Sequence, residues 1–169
     1  MTMQTQPSLW RPLWISTLGS ALFIAVSSRS LPPLVASHFD ASGNVNGRMP
    51  NAVYVVLMLL IVIAAPLFVT ILPIQSFRKS TTRINLPHRD YWLSPERQAA
   101  TIFALSHYAI RFGIVLQVFL CYFHLVVVKA NAGSTPSLVS DAFIAGAVAF
   151  FIIVLVWIVA LLRRFQRIR

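Results

Sequence analysis

"AFIAGAVAFFIIVLVWIVALL", residues 142–162, holds no charged side chain and no proline. As a helix it would be about 31 Å long, close to the thickness of a bilayer's hydrocarbon core. Backbone groups in hydrocarbon have no water to bond, so such a run must satisfy its amides internally, as a helix does. The composition agrees. Of 169 residues, 57% are hydrophobic and 11% charged, where a soluble domain carries roughly 25% charged residues.

Three more runs share this character: residues 52–75, residues 102–128 and the shorter residues 13–28. Trp10 and Trp14 can carry the short one into the membrane interface. The expectation is an all-α integral membrane protein, a single domain over residues 1–169 with four transmembrane helices. An alternative for the first run is a cleaved signal peptide, with Arg11 before it and Ala25-Val26-Ser27 as the cleavage site. The flanking tryptophans and the charge pattern favour a retained helix.

That charge pattern is lopsided. Arg11, Arg78, Lys79, Arg83, Arg89, Arg97, Arg163, Arg164, Arg167 and Arg169 fall on one side of the four runs; Arg29, Arg48 and Lys129 fall on the other. Lys and Arg concentrate in cytoplasmic loops, so both termini and the middle loop are expected inside. The net charge of +10 then reflects topology and contact with anionic lipid head groups rather than nucleic acid. The single cysteine, Cys121, cannot form an internal disulfide.

The stretch Leu31–Asn51, "LPPLVASHFDASGNVNGRMPN", is then an outer loop, polar and rich in turn formers. As a calcium loop it has Asp40, Ser42 and Asn44 in place, but Val45 stands where glycine is needed and Asn51 where glutamate is needed. For zinc, His38 and Asp40 supply two ligands, and His124 would have to be the third. A hydrogen-bonded loop histidine beside an Asx-turn aspartate outweighs that reading. No cofactor is expected.

In the inner loop, Ser94-Pro95-Glu96 resembles a helix start, with Ser as N-cap. Tyr91 and Trp92 suit an interfacial aromatic belt. The third run is the odd one. Its polar residues Ser106, His107, Arg111, Gln117, Cys121 and His124 share an arc of about 140° on a helix and are expected to face the bundle interior. None of the four acids, Asp40, Asp90, Glu96 and Asp141, lies in an apolar run to pair with Arg111, so Arg111 is expected to snorkel toward the inner surface. Small residues four apart, Ser16/Ser20, Ala21/Ala25 and Ala142/Gly146, suit close helix packing.

Two stretches carry a family likeness. The outer loop, through His38, Phe39, Gly43 and Gly47, resembles that of a bacterial membrane domain of unknown function found at the N-terminus of SdpI-type toxin-immunity proteins. Asp40 stands where that pattern has Asn. The inner loop resembles the companion motif at Asn85, Pro87, Tyr91, Trp92, Pro95, Glu96 and Arg97, and the likeness spans about residues 13–105. The resemblance implies a non-enzymatic, multi-pass protein of the bacterial cytoplasmic membrane. It would act in immunity or envelope-stress sensing, with a peptide toxin outside or a cytosolic regulator inside as partner. The rival readings are a small transporter, channel or lipid-handling subunit using the stripe of the third helix, and a metal-dependent membrane enzyme.

Overall fold

The computed structural model describes residues 9–133, 135–138 and 140–167. Helix dominates, in the order α1 (Arg11–Ser27), strands β1 (Leu34–Phe39) and β2 (Val45–Pro50), α2 (Asn51–Lys79), the short α3 (Arg89–Trp92), α4 (Gln98–Ala130) and α5 (Ser140–Gln166). Among the described residues three helices, α2, α4 and α5, are long and apolar enough to cross a membrane. With 17 residues, α1 reaches about 25 Å, short of a hydrocarbon core of about 30 Å. A single 3-10 turn at Ser28–Ser30 prolongs it.

The all-α expectation needs one correction: the loop after α1 is an antiparallel β-hairpin. Pro32 and Pro33 stop the helix and bias the preceding backbone toward extended geometry. The turn closes on Asp40, whose Oδ1 accepts the backbone N–H groups of Ser42 and Asn44, both at 2.9 Å. Gly43 takes φ 83° there, a left-handed conformation that a side chain disfavours. Val35 and Ala36 are buried while His38 is exposed, and the register slips on either side of His38. The strand's polarity pattern is therefore less regular than simple alternation, which hid it in the sequence.

Helix α2 runs antiparallel to α1 and α4, which run parallel to each other. Leu9 and Leu13 at the start of α1 meet Ile74 near the end of α2 and Ile110 in the first half of α4. At the other end Ile24, Tyr54, Met58 and Val127 join Leu31 and Val35 of the hairpin segment. On α2 the buried residues Tyr54, Met58, Val62, Pro66, Thr70 and Ile74 recur every fourth position. Each step of four overshoots a full turn by about 40°, so this row winds around α2 as an i±4n ridge.

Lipid tails are as apolar as leucine, so such helices need close packing and hydrogen bonds to associate. Gly113 supplies one close approach: a Cβ there would overlap Thr70 Oγ1 and sit 3.3 Å from the Pro66 carbonyl oxygen. Of the small-residue pairs, Ala142/Gly146 receives Tyr122, whose hydroxyl donates to the Ala142 carbonyl and whose ring leaves no room for a Cβ on Gly146. Ala25 is exposed instead. Helix α5 leans on α4 through aromatic contacts such as Phe119–Phe150, 4.3 Å between centroids. Its other side, with Phe151, Ile152, Leu155 and Val156, is bare, as a lipid-facing helix requires.

Candidate functional site

Two polar constructions interrupt the apolar bundle. The first is a buried seam between α1, α2 and α4. His124 is fully buried; its Nε2 lies 2.9 Å from Ser27 Oγ and its Nδ1 2.9 Å from the Tyr54 hydroxyl. Tyr54 also stacks on the imidazole at 5.7 Å, and Phe23 meets it edge-on. Ser27 donates its hydroxyl hydrogen to the Phe23 carbonyl one turn back. That leaves Ser27 Oγ to accept from Nε2–H, and Nδ1 to accept from the Tyr54 O–H, which assigns the neutral tautomer from the network. Ser27, His124 and Tyr54 thus share the spacing of nucleophile, base and orienter, but the protons run the wrong way for a base activating a serine. The row acts as a clamp between three helices.

Two turns away, Gln117 ties α4 to α1 alone. Its Nε2 donates to Thr17 Oγ1 at 2.6 Å and its Oε1 accepts from Ser16. Thr17 passes its own proton to the Leu13 carbonyl at 2.8 Å. Each polar atom has a partner, so burial costs little net free energy.

The second construction is the hairpin and what lies beneath it. Asn131, just past α4, pins the hairpin at a buried strand position: its Oδ1 accepts from the Ala36 N–H at 2.8 Å and its Nδ2 donates to the Ala36 carbonyl at 2.9 Å. The α4–α5 connection holds the turn from the other side through Leu138 N–H to the Gly43 carbonyl, 2.9 Å. Between them opens a cleft of about 610 Å³, with Ser37, His38, Asp40 and Asn46 on a polar wall and Phe123, Val127, Phe143 and Ile144 as an apolar floor. The Asn44 N–H, with those of Ser42 and Gly43, holds the Asp40 carboxyl below the usual carboxylate range.

Of the outer-loop residues singled out by sequence, His38, Phe39 and Asp40 line this cleft. Gly43 and Gly47 serve the hairpin instead. Gly43 makes the turn, and Gly47 faces His38 across the strands, where a Cβ would come within 3.0 Å of the His38 Cβ. Among the described residues no three His, Cys, Asp or Glu side chains converge on a metal-sized site. His124, the third ligand of the metal reading, has both nitrogens engaged by Ser27 and Tyr54.

The inner-loop residues split as well. Trp92 is fastened twice, its Nε1–H to the Phe165 carbonyl at 2.8 Å and its own carbonyl to the Thr101 hydroxyl at 2.8 Å. Arg97 lies over the Tyr91 ring at 4.1 Å. Pro87 is half-buried and Asn85 exposed. The expected N-cap at Ser94 is corrected: Ser94–Arg97 form a turn, α4 begins at Gln98, and the side chain of its N-cap residue, Arg97, makes no capping bond. Ser94 still contributes its carbonyl to the first helical bond, from Gln98 N–H at 2.9 Å. Pro95 and Glu96 are exposed in that turn. Glu96's own backbone N–H and the Ser94 side chain hold its carboxyl below the usual range.

The polar stripe of α4 does not act as one face. Ser106, Gln117 and His124 are buried, Cys121 and His107 are half-buried, and Arg111 is exposed. His107 packs edge-on to Phe103 at 4.5 Å. Arg83's side chain and Arg169 lie outside the described residues. Sequence reasoning read Ser16 only as a small packing residue and Ser27 only as part of a cleavage site, and passed over Thr17, Tyr54 and Asn131. Their signal was present, since each is a polar group in or beside an apolar run that demands a partner, but the partners lie 70 to 101 residues away.

The interior and the bare apolar flanks define a helical membrane protein with a polar seam and a hairpin-capped cleft at one end. Comparison with protein-family models, with curated proteins and with solved structures finds no match to this chain.

Proposed function

We propose that this chain is a four-span protein of the bacterial cytoplasmic membrane, with both termini inside, that acts by binding rather than catalysis. It recognises an amphipathic, membrane-active peptide at the outer surface, in an SdpI-like role in immunity or envelope-stress sensing. The observation that carries this reading is the 610 Å³ cleft. A polar hairpin wall over an apolar helix floor suits a ligand that is half in water and half in lipid. The topology is supported by the uneven charge. The bundle end bearing Arg11, Arg78, Lys79 and Arg163 is far more basic than the hairpin end.

The test compares a deletion strain complemented with wild type, Ile144→Trp (filling the floor) or His38→Ala. The deletion is expected to raise sensitivity to membrane-active peptides, wild type to restore resistance, and Ile144→Trp to fail while still reaching the membrane. Unchanged sensitivity on deletion refutes the proposal. Reporter fusions at residue 44 and at the C-terminus test the topology, which a cytoplasmic residue 44 overturns. A second reading, a lipid-handling subunit, is favoured by an apolar groove of about 480 Å³ between α4 and α5, lined among others by Val118, Phe119, Gly146 and Phe150.

A further inference from the structure

At the opposite end from the hairpin, a second cleft of about 510 Å³ lies between α3 and the last turns of α5, lined by Trp92, Ala160, Arg163, Arg164 and Arg167. Arg163 and Arg164 lie in the last turn of α5 and Arg167 follows directly after its end, and all three line the same cleft. All three are exposed. Among the described residues no carboxylate lines the cleft. Asp90 pairs with Arg89 at 3.6 Å, Glu96 is held in the Ser94–Arg97 turn, and Asp40 and Asp141 belong to the hairpin end.

The wall is rigid. Trp92 is tied to the Phe165 carbonyl and to Thr101, and its ring meets the buried Phe165 edge-on at 5.3 Å. The cleft also sits where α5 leaves its long apolar stretch, the level at which tryptophan and arginine meet lipid head groups. Guanidinium groups match phosphate oxygens in bidentate fashion.

We propose that this cleft is a built site for the phosphate of an anionic lipid head group, distinct from general contact between basic loops and the bilayer. The inference is independent of what the hairpin cleft recognises. The three guanidinium groups bind the phosphate, Trp92 holds the head group at the interface, and the acyl chains run along the bare flank of α5.

The full-length protein in nanodiscs of mixed phosphatidylglycerol and phosphatidylcholine provides the test, with retained lipid read by native mass spectrometry. Wild type is expected to keep phosphatidylglycerol over phosphatidylcholine. Arg163→Gln/Arg167→Gln should weaken retention about 30-fold, at roughly fivefold per surface cation. Arg78→Gln/Lys79→Gln removes equal charge at the same end outside the cleft and should retain the lipid. These side chains lie at helix ends and in solvent-facing positions, and unaltered thermal melts will check that each variant is folded. Equal losses in the two double variants, or no preference between the lipids, overturns the proposal. Inorganic phosphate or pyrophosphate that displaces the lipid at equal concentration would also overturn it, assigning the cleft to a soluble ligand.

Discussion

Removing the imidazole of His124 should strand Tyr54 but not Ser27, and a double-mutant cycle can read that asymmetry. In the native network Tyr54 O–H has His124 Nδ1 as its partner, whereas Ser27 also has the Phe23 carbonyl. Tyr54→Phe in the wild-type background leaves Nδ1 without its donor. A buried unsatisfied group costs about 1–3 kcal/mol in general, and polar pairs inside membranes average about 0.6 with a maximum near 1.7 kcal/mol. His124 is fully buried and the Tyr54 hydroxyl is the partner of its Nδ1 among the described residues, so the upper part of the membrane range applies and a loss of about 1–1.5 kcal/mol is expected.

In a His124→Phe background the orphan is the tyrosine hydroxyl, and Tyr54→Phe removes it. The same substitution should then be neutral or stabilising, a coupling of about 1–2 kcal/mol. Ser27→Ala, by contrast, should be nearly neutral once His124 is gone. Reversible unfolding in mixed micelles on titration with dodecyl sulfate measures all the corners. A Tyr54–His124 coupling within about 0.3 kcal/mol of zero, the usual additivity error, would refute the clamp. So would a Ser27→Ala cost in the His124→Phe background as large as in wild type.

Other outcomes follow from particular contacts. Asn131→Leu leaves the N–H and carbonyl of the buried Ala36 unpaired and should destabilise the hairpin by about 2–4 kcal/mol, seen as faster hydrogen exchange across residues 34–50 with the α2 amides unchanged. Gly113→Ala drives a Cβ into Thr70 Oγ1 and should cost about 1–3 kcal/mol in the micelle titration, with Thr70→Ala restoring part of the loss. The Asp40 carboxyl, held low chiefly by the Asn44 N–H, favours the folded turn above the ordinary pKa of 3.8. That contribution is lost as pH falls through the depressed value, so the Ser42 and Asn44 amides should lose exchange protection at acid pH while an Asp40→Asn hairpin shows no such dependence.

The hairpin shows where reading the chain stops short. The turn was legible, because Asp40, Gly43 and Asn44 are residues that close turns. The strands were not, because a two-stranded ribbon is marginal alone and this one is held by Asn131 and Leu138, far along the chain. The stripe on α4 makes the same point. Angular position on an isolated helix grouped Arg111 with Gln117 and His124, but α4 has α1 and α2 on one side and α5 on another, so residues within one arc meet different neighbours.

By itself the sequence determined that the chain belongs in a membrane, where its long helices lie and which end is basic. Those properties follow from transfer free energy and charge, which act locally and sum along the chain. Only the tertiary structure decided that Ser27, Tyr54 and His124 form one clamp, that His38 and Asp40 overhang an apolar floor, and that Trp92 closes a cleft with Arg163, Arg164 and Arg167. Polar groups in hydrocarbon must find partners, but nothing local says which partners, because that choice is made when helices distant in sequence pack side by side.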